Sequence, residues 1–276
     1  MVTIAQWIDQ AAASFREIGI ASSRLDAEII LAHTLRKNRT FLHAHGEEEL
    51  TDRQIEIADA RIELRRDRTP VAYIIGHKEF YGRLFKVTPA TLIPRPESET
   101  IITLLKELLP PSYSLLQETP KRLVDVGTGS GCLGITAKLE CSEFDVTLCD
   151  LSNHALNVAR GNARQLEADV TIEQSNLLTS YPFTPDIILA NLPYVDASWE
   201  RSPETNYEPP EALFASDDGL ALIKKLVDEA TIRMQSGGLI FLEADPRQHA
   251  EMIRYAKKHG FALRESRDFI VVIEKL

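Results

Sequence analysis

Cysteine is scarce: Cys132, Cys141 and Cys149 are odd in number and show no Cys-x-x-Cys spacing. That argues against a disulfide framework or a thiolate zinc site and leaves small buried hydrophobes in a reducing compartment. His43 and His45 form a His-x-His pair with no suitably spaced carboxylate or cysteine, so they read as solvated helix-end residues and no metal is expected. No stretch approaches the roughly eighteen uninterrupted apolar residues of a membrane span, and no membrane association is expected. The first six residues, Met1 to Gln6, lack a basic n-region and a long apolar h-region, which makes a cytoplasmic protein the expectation. Internal repeats and low-complexity segments are also lacking. Positive charge is in deficit, 31 basic against 41 acidic side chains for a net charge of −10. Such a surface on average repels phosphate backbones, so nucleic acid is disfavoured as a partner.

What is present is ordinary globular chemistry, 44% apolar and 26% charged residues, in a chain long enough for two unequal domains. Residues 1–70 read as helices. Ile4, Trp7, Ile8, Ala11, Phe15 and Ile18 share a helical face, with Gly19 as a candidate C-terminal cap. A second helix follows Ser23, and a third begins after Thr51 and carries Ile55, Ala58 and Ile62 before Pro70 stops it. Its basic end, Arg65-Arg66-Asp67-Arg68, complements the helix dipole or faces a substrate. Residues 71–96 change texture to short β-prone runs, Val71–Ile75, Glu79–Tyr81 and Leu84–Val87, and predict a hairpin linking two domains. Residues 97–109 regain helical spacing, and Pro110-Pro111 opens a polar loop that ends near Pro120.

From Lys121 apolar runs alternate with amphipathic stretches. Strands are predicted at Arg122–Val126, Asp145–Cys149, Val170–Glu173, Asp186–Ala190, Leu239–Glu243, Phe261–Glu265 and Ile270–Glu274. The alternation implies an α/β fold for residues 97–276: seven strands, mostly parallel, covered by helices on both faces. A short turn between the last two strands makes an antiparallel edge.

Leu123-Val124-Asp125-Val126-Gly127-Thr128-Gly129-Ser130-Gly131 is a strand entering a glycine turn that opens a helix, a form that lets a ligand approach the backbone. No Lys-Ser/Thr follows, which removes the P-loop reading. Asp125 would set a carboxylate beside the ligand, suited to a sulfonium and an ammonium and not to a pyrophosphate. Asp150 closes the next strand, where a carboxylate can accept from ribose hydroxyls. Together they favour S-adenosylmethionine, with S-adenosylhomocysteine as product, over NAD. The alternative for both aspartates is helix capping. Ser175-Asn176-Leu177 closes the third strand, where Asn176 and Leu177 either meet the adenine or simply end the strand.

The following strand delivers Asn191-Leu192-Pro193-Tyr194 to the carboxyl edge of the sheet, where open α/β folds bind ligands. An amide or aryl-amine nitrogen has a delocalised lone pair and is a poor nucleophile. Two acceptors on its N–H groups, the Asn191 side-chain oxygen and the Leu192 carbonyl, draw electron density onto it and aim the lone pair at the methyl donor. Pro193 biases Leu192 toward extended backbone, and Tyr194 offers a flat face for a planar group. The alternative is that the four residues only make a turn.

These motifs resemble the glutamine-N5 methyltransferases that modify peptide chain release factors, and the resemblance covers nearly the whole chain. It is carried by Asp125–Gly131 and Asn191–Tyr194, by Asp26-Ala27-Glu28, Pro70–Gly76 and Glu79–Gly82, by Thr91-Leu92-Ile93-Pro94-Arg95-Pro96-Glu97-Ser98-Glu99, and by Tyr207–Leu213. The Ile93–Glu99 segment with a small N-terminal helical domain discriminates this family from other nitrogen methyltransferases. The resemblance implies a Rossmann-like class I methyltransferase domain. It also implies a protein methyltransferase whose substrate is the glutamine in the Gly-Gly-Gln loop of a release factor, with residues 1–70 recognising that factor; a monomer is expected. Two positions depart from the family: Leu192, where proline is common, and Asn176, where an acidic residue is usual. Asn-Leu-Pro-Tyr is also the form seen in adenine-N6 dimethylases of ribosomal RNA. Adenine-N6 methylation of RNA or DNA, and a non-catalytic cofactor-binding module docking on a translation factor, therefore stand as alternatives.

Overall fold

The computed structural model describes residues 2–109 and 120–276. The loop expected from Pro110 to Pro120 lies almost wholly outside the described residues. The chain divides into two compact units, Met1–His77 with Ser202–Tyr207, and Lys78–Arg201 with Glu208–Leu276.

The first unit is helical. Helix α1, Ile4–Glu17, starts at Thr3 with a reciprocal capping box to Gln6 and buries the predicted face. Gly19 follows its end at φ +73°. Helix α2, Ser23–Leu35, has Ser22 as its N-cap, one residue before the expected Ser23. Helix α3, Arg39–Ala44, was not expected; six residues carry too little periodicity to read, although Asn38, whose side chain accepts from the Phe41 N–H, is a cap signal. Helix α4, Asp52–Arg66, begins with a Thr51–Gln54 capping box.

Helix α5, Val71–Ile75, overturns the expectation of a strand there. Three β-branched residues in five favour extended backbone, but Pro70 supplies a pre-set φ and Gly76 a left-handed terminus at φ +78°. Between such brackets one helical turn closes, with the Tyr73 and Ile74 N–H groups donating to the Pro70 carbonyl.

The motif residues of this unit are structural. Asp26 accepts from the buried Arg65 guanidinium at 2.8 Å, and Arg65 also reaches Glu204 at 3.0 Å. Glu28 pairs with Arg24 and Arg39. Arg66 pairs with Glu63 and Arg68 with Glu204, so the basic end of α4 is neutralised inside its own unit. His43 lies 3.6 Å from Glu28, and His45 stacks on Phe41.

The second unit begins at Lys78, within the hairpin of β1, His77–Phe80, and β2, Arg83–Lys86. Its turn residues Tyr81 and Gly82 both have positive φ, as a two-residue hairpin turn requires. Phe80 and Phe85 are fully buried in the core of this unit, so the hairpin is packed into the larger unit and is not a free connection. A 3₁₀ turn, Pro96–Ser98, leads into helix α6, Glu99–Leu108.

The sheet strands are β3, Arg122–Val126; β4, Asp145–Asp150; β5, Thr171–Gln174; β6, Ile187–Ala190; β7, Leu239–Glu243; β8, Phe261–Arg267; and β9, Ile270–Lys275. Their order is β5-β4-β3-β6-β7-β9-β8. The first five are parallel, and the closing hairpin supplies the expected antiparallel edge. The strand that runs against the rest is β9, inserted between β7 and the outermost β8.

Alternation along the central strands feeds two cores. Leu123, Ile187, Leu189, Leu239 and Phe241 face one side, beneath α6 and helix α7, Cys132–Glu140. Val124, Val126, Ile188, Ala190, Ile240 and Leu242 face the other, beneath helices α10, Ala221–Arg233, and α11, Pro246–Lys258. Helix α8, Asn153–Gln165, joins β4 to β5, and the short α9, Pro210–Leu213, follows the return from the first unit. Packing under α7 is tight at Gly134, where an added Cβ would sit 2.2 Å from Leu148 Cδ2 and 2.9 Å from Asp125 Cβ. We expect Gly134→Ala to cost about 1–3 kcal/mol by overpacking, measured as a fall in the denaturant midpoint at unchanged slope.

Candidate active site

Register places the chemistry. Val126 pairs with Cys149 of β4 on one side and Ala190 of β6 on the other, so the glycine loop, Asp150 and Asn191 leave the sheet at the same edge. Ala190 pairs with Leu242, which sets Glu243 level with Asn191. Between β4 and β6 the strand order reverses about β3, the switch point at which open α/β sheets form a crevice.

A cavity of roughly 370 Å³ opens there. Of the expected residues, Gly127, Thr128, Gly129, Ser130, Asp150, Asn176, Leu177, Asn191, Leu192 and Pro193 line it. Asp150 Oδ2 accepts from the Gly129 N–H at 2.9 Å and Oδ1 from the Ser152 N–H at 2.8 Å. Burial raises its pKa, and those backbone donors pull it back. Gly129 has φ +56° and open space where a Cβ would stand, so the loop backbone is bare to a ligand. Gly127 is tight on its other side, its Cβ position 2.9 Å from Leu192 Cδ2. Leu192, 4% exposed, thereby packs the acceptor loop against the glycine loop.

Three expected residues lie elsewhere. Gly131, at φ +84°, is the N-cap of α7 and does not line the cavity. Asp125 is 1% exposed and does not meet the cavity. Val124 and Val126 point to one face, so Asp125 must point to the other, under α7, where Oδ2 accepts from the Thr128 hydroxyl and the Gly134 N–H. Burial pushes its pKa up to about 6 against those bonds. Asp125 thereby bonds the first turn of α7, as the capping alternative expected. Tyr194 also does not line the cavity; its hydroxyl donates to Glu243 Oε1 at 3.2 Å.

The sequence reading missed the residues that hold this loop. Ser98, from the Ile93–Glu99 segment, lines the cavity, accepts from Asn191 Nδ2 at 3.0 Å and donates to Glu243 Oε2 at 2.5 Å. Glu243 is 1% exposed, and burial raises its pKa while the two hydroxyl bonds oppose. Burial and the neighbouring Glu243 carboxylate raise the Tyr194 pKa. Gln248 Nε2 donates to the Tyr194 and Asp218 carbonyls at 2.8 and 2.6 Å. Glu208 accepts from the Ile93 N–H and from Arg95, tying the Tyr207–Leu213 segment to Ile93–Glu99. A carboxylate closing an apolar strand was a legible signal at Glu243, the one used at Asp125 and Asp150. Gln248, inside a helix start, gave none.

Two family models match the chain: the PrmC N-terminal domain over residues 6–76, and the methyltransferase small domain over residues 104–205. The release factor glutamine methyltransferase of Koribacter versatilis is 37% identical over 257 residues, 89% of each chain. That of Escherichia coli is 35% identical, over 85% of this chain and 83% of its own. The chain belongs to the release factor glutamine methyltransferase family.

Among solved structures, a methyltransferase from Pyrococcus furiosus superposes with a TM-score of 0.54 at 18% identity, covering 79% of this chain and 97% of that one, a likeness of fold. Family membership brings S-adenosylmethionine as methyl donor, and the cavity fits it. Its volume lies within the usual range for small ligands, about 300–1,000 Å³. Among the described residues its lining holds two carboxylates, Asp150 and Glu211, and no lysine, arginine or histidine. That set suits a cationic ligand with ribose hydroxyls and would repel a pyrophosphate. Among the described residues no helix is long and apolar enough to cross a membrane.

Proposed function

We propose that this protein transfers a methyl group from S-adenosylmethionine to the side-chain amide N5 of the glutamine in the Gly-Gly-Gln loop of a peptide chain release factor. The observation that carries the reading is the orientation of Asn191. Its Nδ2 is committed to Ser98, so Oδ1 is left as the acceptor at a cavity whose other lining suits the donor.

When bound, S-adenosylmethionine supplies an electrophilic methyl group on a sulfonium. Asp150 would accept from ribose hydroxyls with the lone pairs its backbone partners leave. The backbone of Gly127–Ser130 and the side chains of Asn176 and Leu177, which line the same cavity, would hold the rest of the ligand. At position 176 the neutral amide provides both a donor and an acceptor where the family usually has a carboxylate. Asn191 Oδ1 accepts one N–H of the substrate amide and the Leu192 carbonyl the other. Both contacts hold the amide plane so that the nitrogen lone pair, and no other part of the group, faces the methyl. Pro193 restricts Leu192 to extended backbone, and Gln248 fixes the carbonyl two residues on, so the acceptors are in place before substrate arrives. Because the Leu192 contact is a backbone carbonyl, leucine serves where the family commonly has proline. The amide proton leaves to water after transfer. The helical first unit, which matches the PrmC N-terminal domain, takes part in docking the release factor.

Incubation with methyl-labelled cofactor, a bacterial-type release factor and ribosomal RNA side by side tests the reading. Label is expected in the factor and absent from a factor whose Gly-Gly-Gln glutamine is changed to alanine. Label in RNA alone would overturn it in favour of adenine.

A further inference from the structure

Glu243 joins both ends of the acceptor loop and touches neither the methyl acceptor nor the cavity. One carboxylate oxygen takes the Ser98 hydroxyl, whose oxygen takes Asn191, and the other takes Tyr194. We infer that Glu243 acts through Ser98 as a positioning residue, locking the Asn191 amide with Oδ1 toward the substrate and strengthening that oxygen as an acceptor. The inference rests on the role proposed above for Asn191.

Hydrogen counting carries the orientation. Ser98 has a single hydroxyl hydrogen, and an ionised carboxylate can only accept. With that hydrogen given to Glu243, the Ser98 oxygen faces Asn191 as an acceptor and must meet the NH2 end of the amide. A flipped Asn191 would set its oxygen against another oxygen with no hydrogen between them. Among the described residues no hydrogen bond within the chain takes Asn191 Oδ1.

Polarisation follows from the same chain. A hydroxyl that donates to a carboxylate becomes a stronger acceptor, and an amide whose N–H donates more strongly carries more negative charge on its oxygen. The bonds run in one direction, from Asn191 through Ser98 to Glu243, and both Ser98 and Glu243 are buried.

The charge itself is the second line of evidence. Glu243 is 1% exposed, and among the described residues it makes no ion pair. The nearest cationic influence on it, Arg95, is itself paired with Glu208. A buried carboxylate without a direct ion pair is costly, and a glutamine of the same shape would occupy the site with less desolvation. A purely structural link to two hydroxyls does not require the charge. A negative group two bonds behind the acceptor does, because the amide nitrogen gains positive character as it bonds to the methyl carbon.

The test compares Ser98→Ala, Ser98→Thr and Glu243→Gln with the wild type. Loss of a hydrogen bond to a charged group predicts that Ser98→Ala and Glu243→Gln lower kcat about ten- to a hundredfold. The release factor KM and the cofactor Kd are expected to stay within about twofold, since the contact matters most in the transition state. Ser98→Thr, which keeps the hydroxyl, is expected to retain most of kcat. A Glu243→Gln enzyme with wild-type kcat, or losses confined to KM or Kd, would overturn the inference. A readout independent of turnover accompanies it: with 15N-asparagine labelling, the Asn191 side-chain amide protons should move upfield in Glu243→Gln while the other asparagine amides stay. No movement overturns the inference. A wild type that leaves the release factor unlabelled counts against the proposed function, and the amide shift still decides the role of Glu243.

Discussion

Asn191→Ala is expected to lower methyl transfer to the release-factor glutamine by about a hundred- to a thousandfold, the usual loss when one preorganised acceptor or donor is removed from a reacting centre. The substitution deletes the oxygen that would draw on the substrate N–H and leaves Ser98 without its donor. The glycine loop and Asp150 keep their own bonds, Gly129 N–H to Asp150 Oδ2 and Ser152 N–H to Asp150 Oδ1, so cofactor affinity should change little. Radiolabel incorporation and titration calorimetry on the same preparation separate the two quantities. Asn191→Asp makes a sharper comparison. It keeps an acceptor oxygen but turns a second carboxylate oxygen toward Ser98, whose hydrogen already belongs to Glu243. Activity should therefore remain low despite the near-identical shape. Recovery in the aspartate variant would mean that an acceptor at this position suffices and that its orientation by Ser98 is irrelevant.

Gly129→Val should have the opposite signature, loss of cofactor binding itself. Gly129 sits at φ +56°, where a β-branched residue is strained, and nothing lies within 4 Å of its Cβ position. The valine side chain therefore has room, and the room it takes is the ligand's. Strain of about 1–3 kcal/mol at the loop adds to the blockage without removing any core packing, so the protein should remain folded. Calorimetry is expected to register no heat of binding for this variant, while Asn191→Ala binds normally. Equal affinity in the two variants would contradict the assignment of the cavity. Gly134→Ala completes the contrast: its Cβ would meet Leu148 and Asp125 in the core, so stability falls there and not binding.

The accuracy of the sequence reading followed the length and regularity of each signal. The seven strands of the large sheet were legible, the central ones because buried parallel strands read as continuous apolar runs bounded by turns, as Ile187–Ala190 and Leu239–Glu243 do. Long capped helices such as α1 and α4 were legible for the same reason. Single turns were not. Val71–Ile75 has β-branched composition, and its helical state depends on the Pro70 and Gly76 termini that propensity does not weigh. Within the site, residues that follow strand ends were read well in position and less well in role. Asp125 and Asp150 give the same signal in sequence, a carboxylate closing an apolar strand. One is buried beneath a helix and the other lines the cavity, a difference set by which face each side chain takes and by what covers that face.

The order of motifs along the chain, glycine loop, acidic strand end, then Asn191–Tyr194, by itself determined the fold class and the kind of nitrogen chemistry, and the Ile93–Glu99 segment with the helical N-terminal residues determined the family. Each of those is written in contiguous residues whose backbone requirements are local. What holds Asn191–Tyr194 in a working geometry came only from tertiary structure. Ser98 lies 93 residues before Asn191, and Glu243 lies 49 residues after Tyr194. Sheet register brings them to one edge, since Ala190 and Leu242 are paired neighbours although they belong to separate strands. A hydrogen bond acts over about 3 Å of space and not over any fixed distance in sequence, so the partners of a loop are decided by packing. Asn191 could be singled out from its neighbours in sequence; the direction in which its amide points could not.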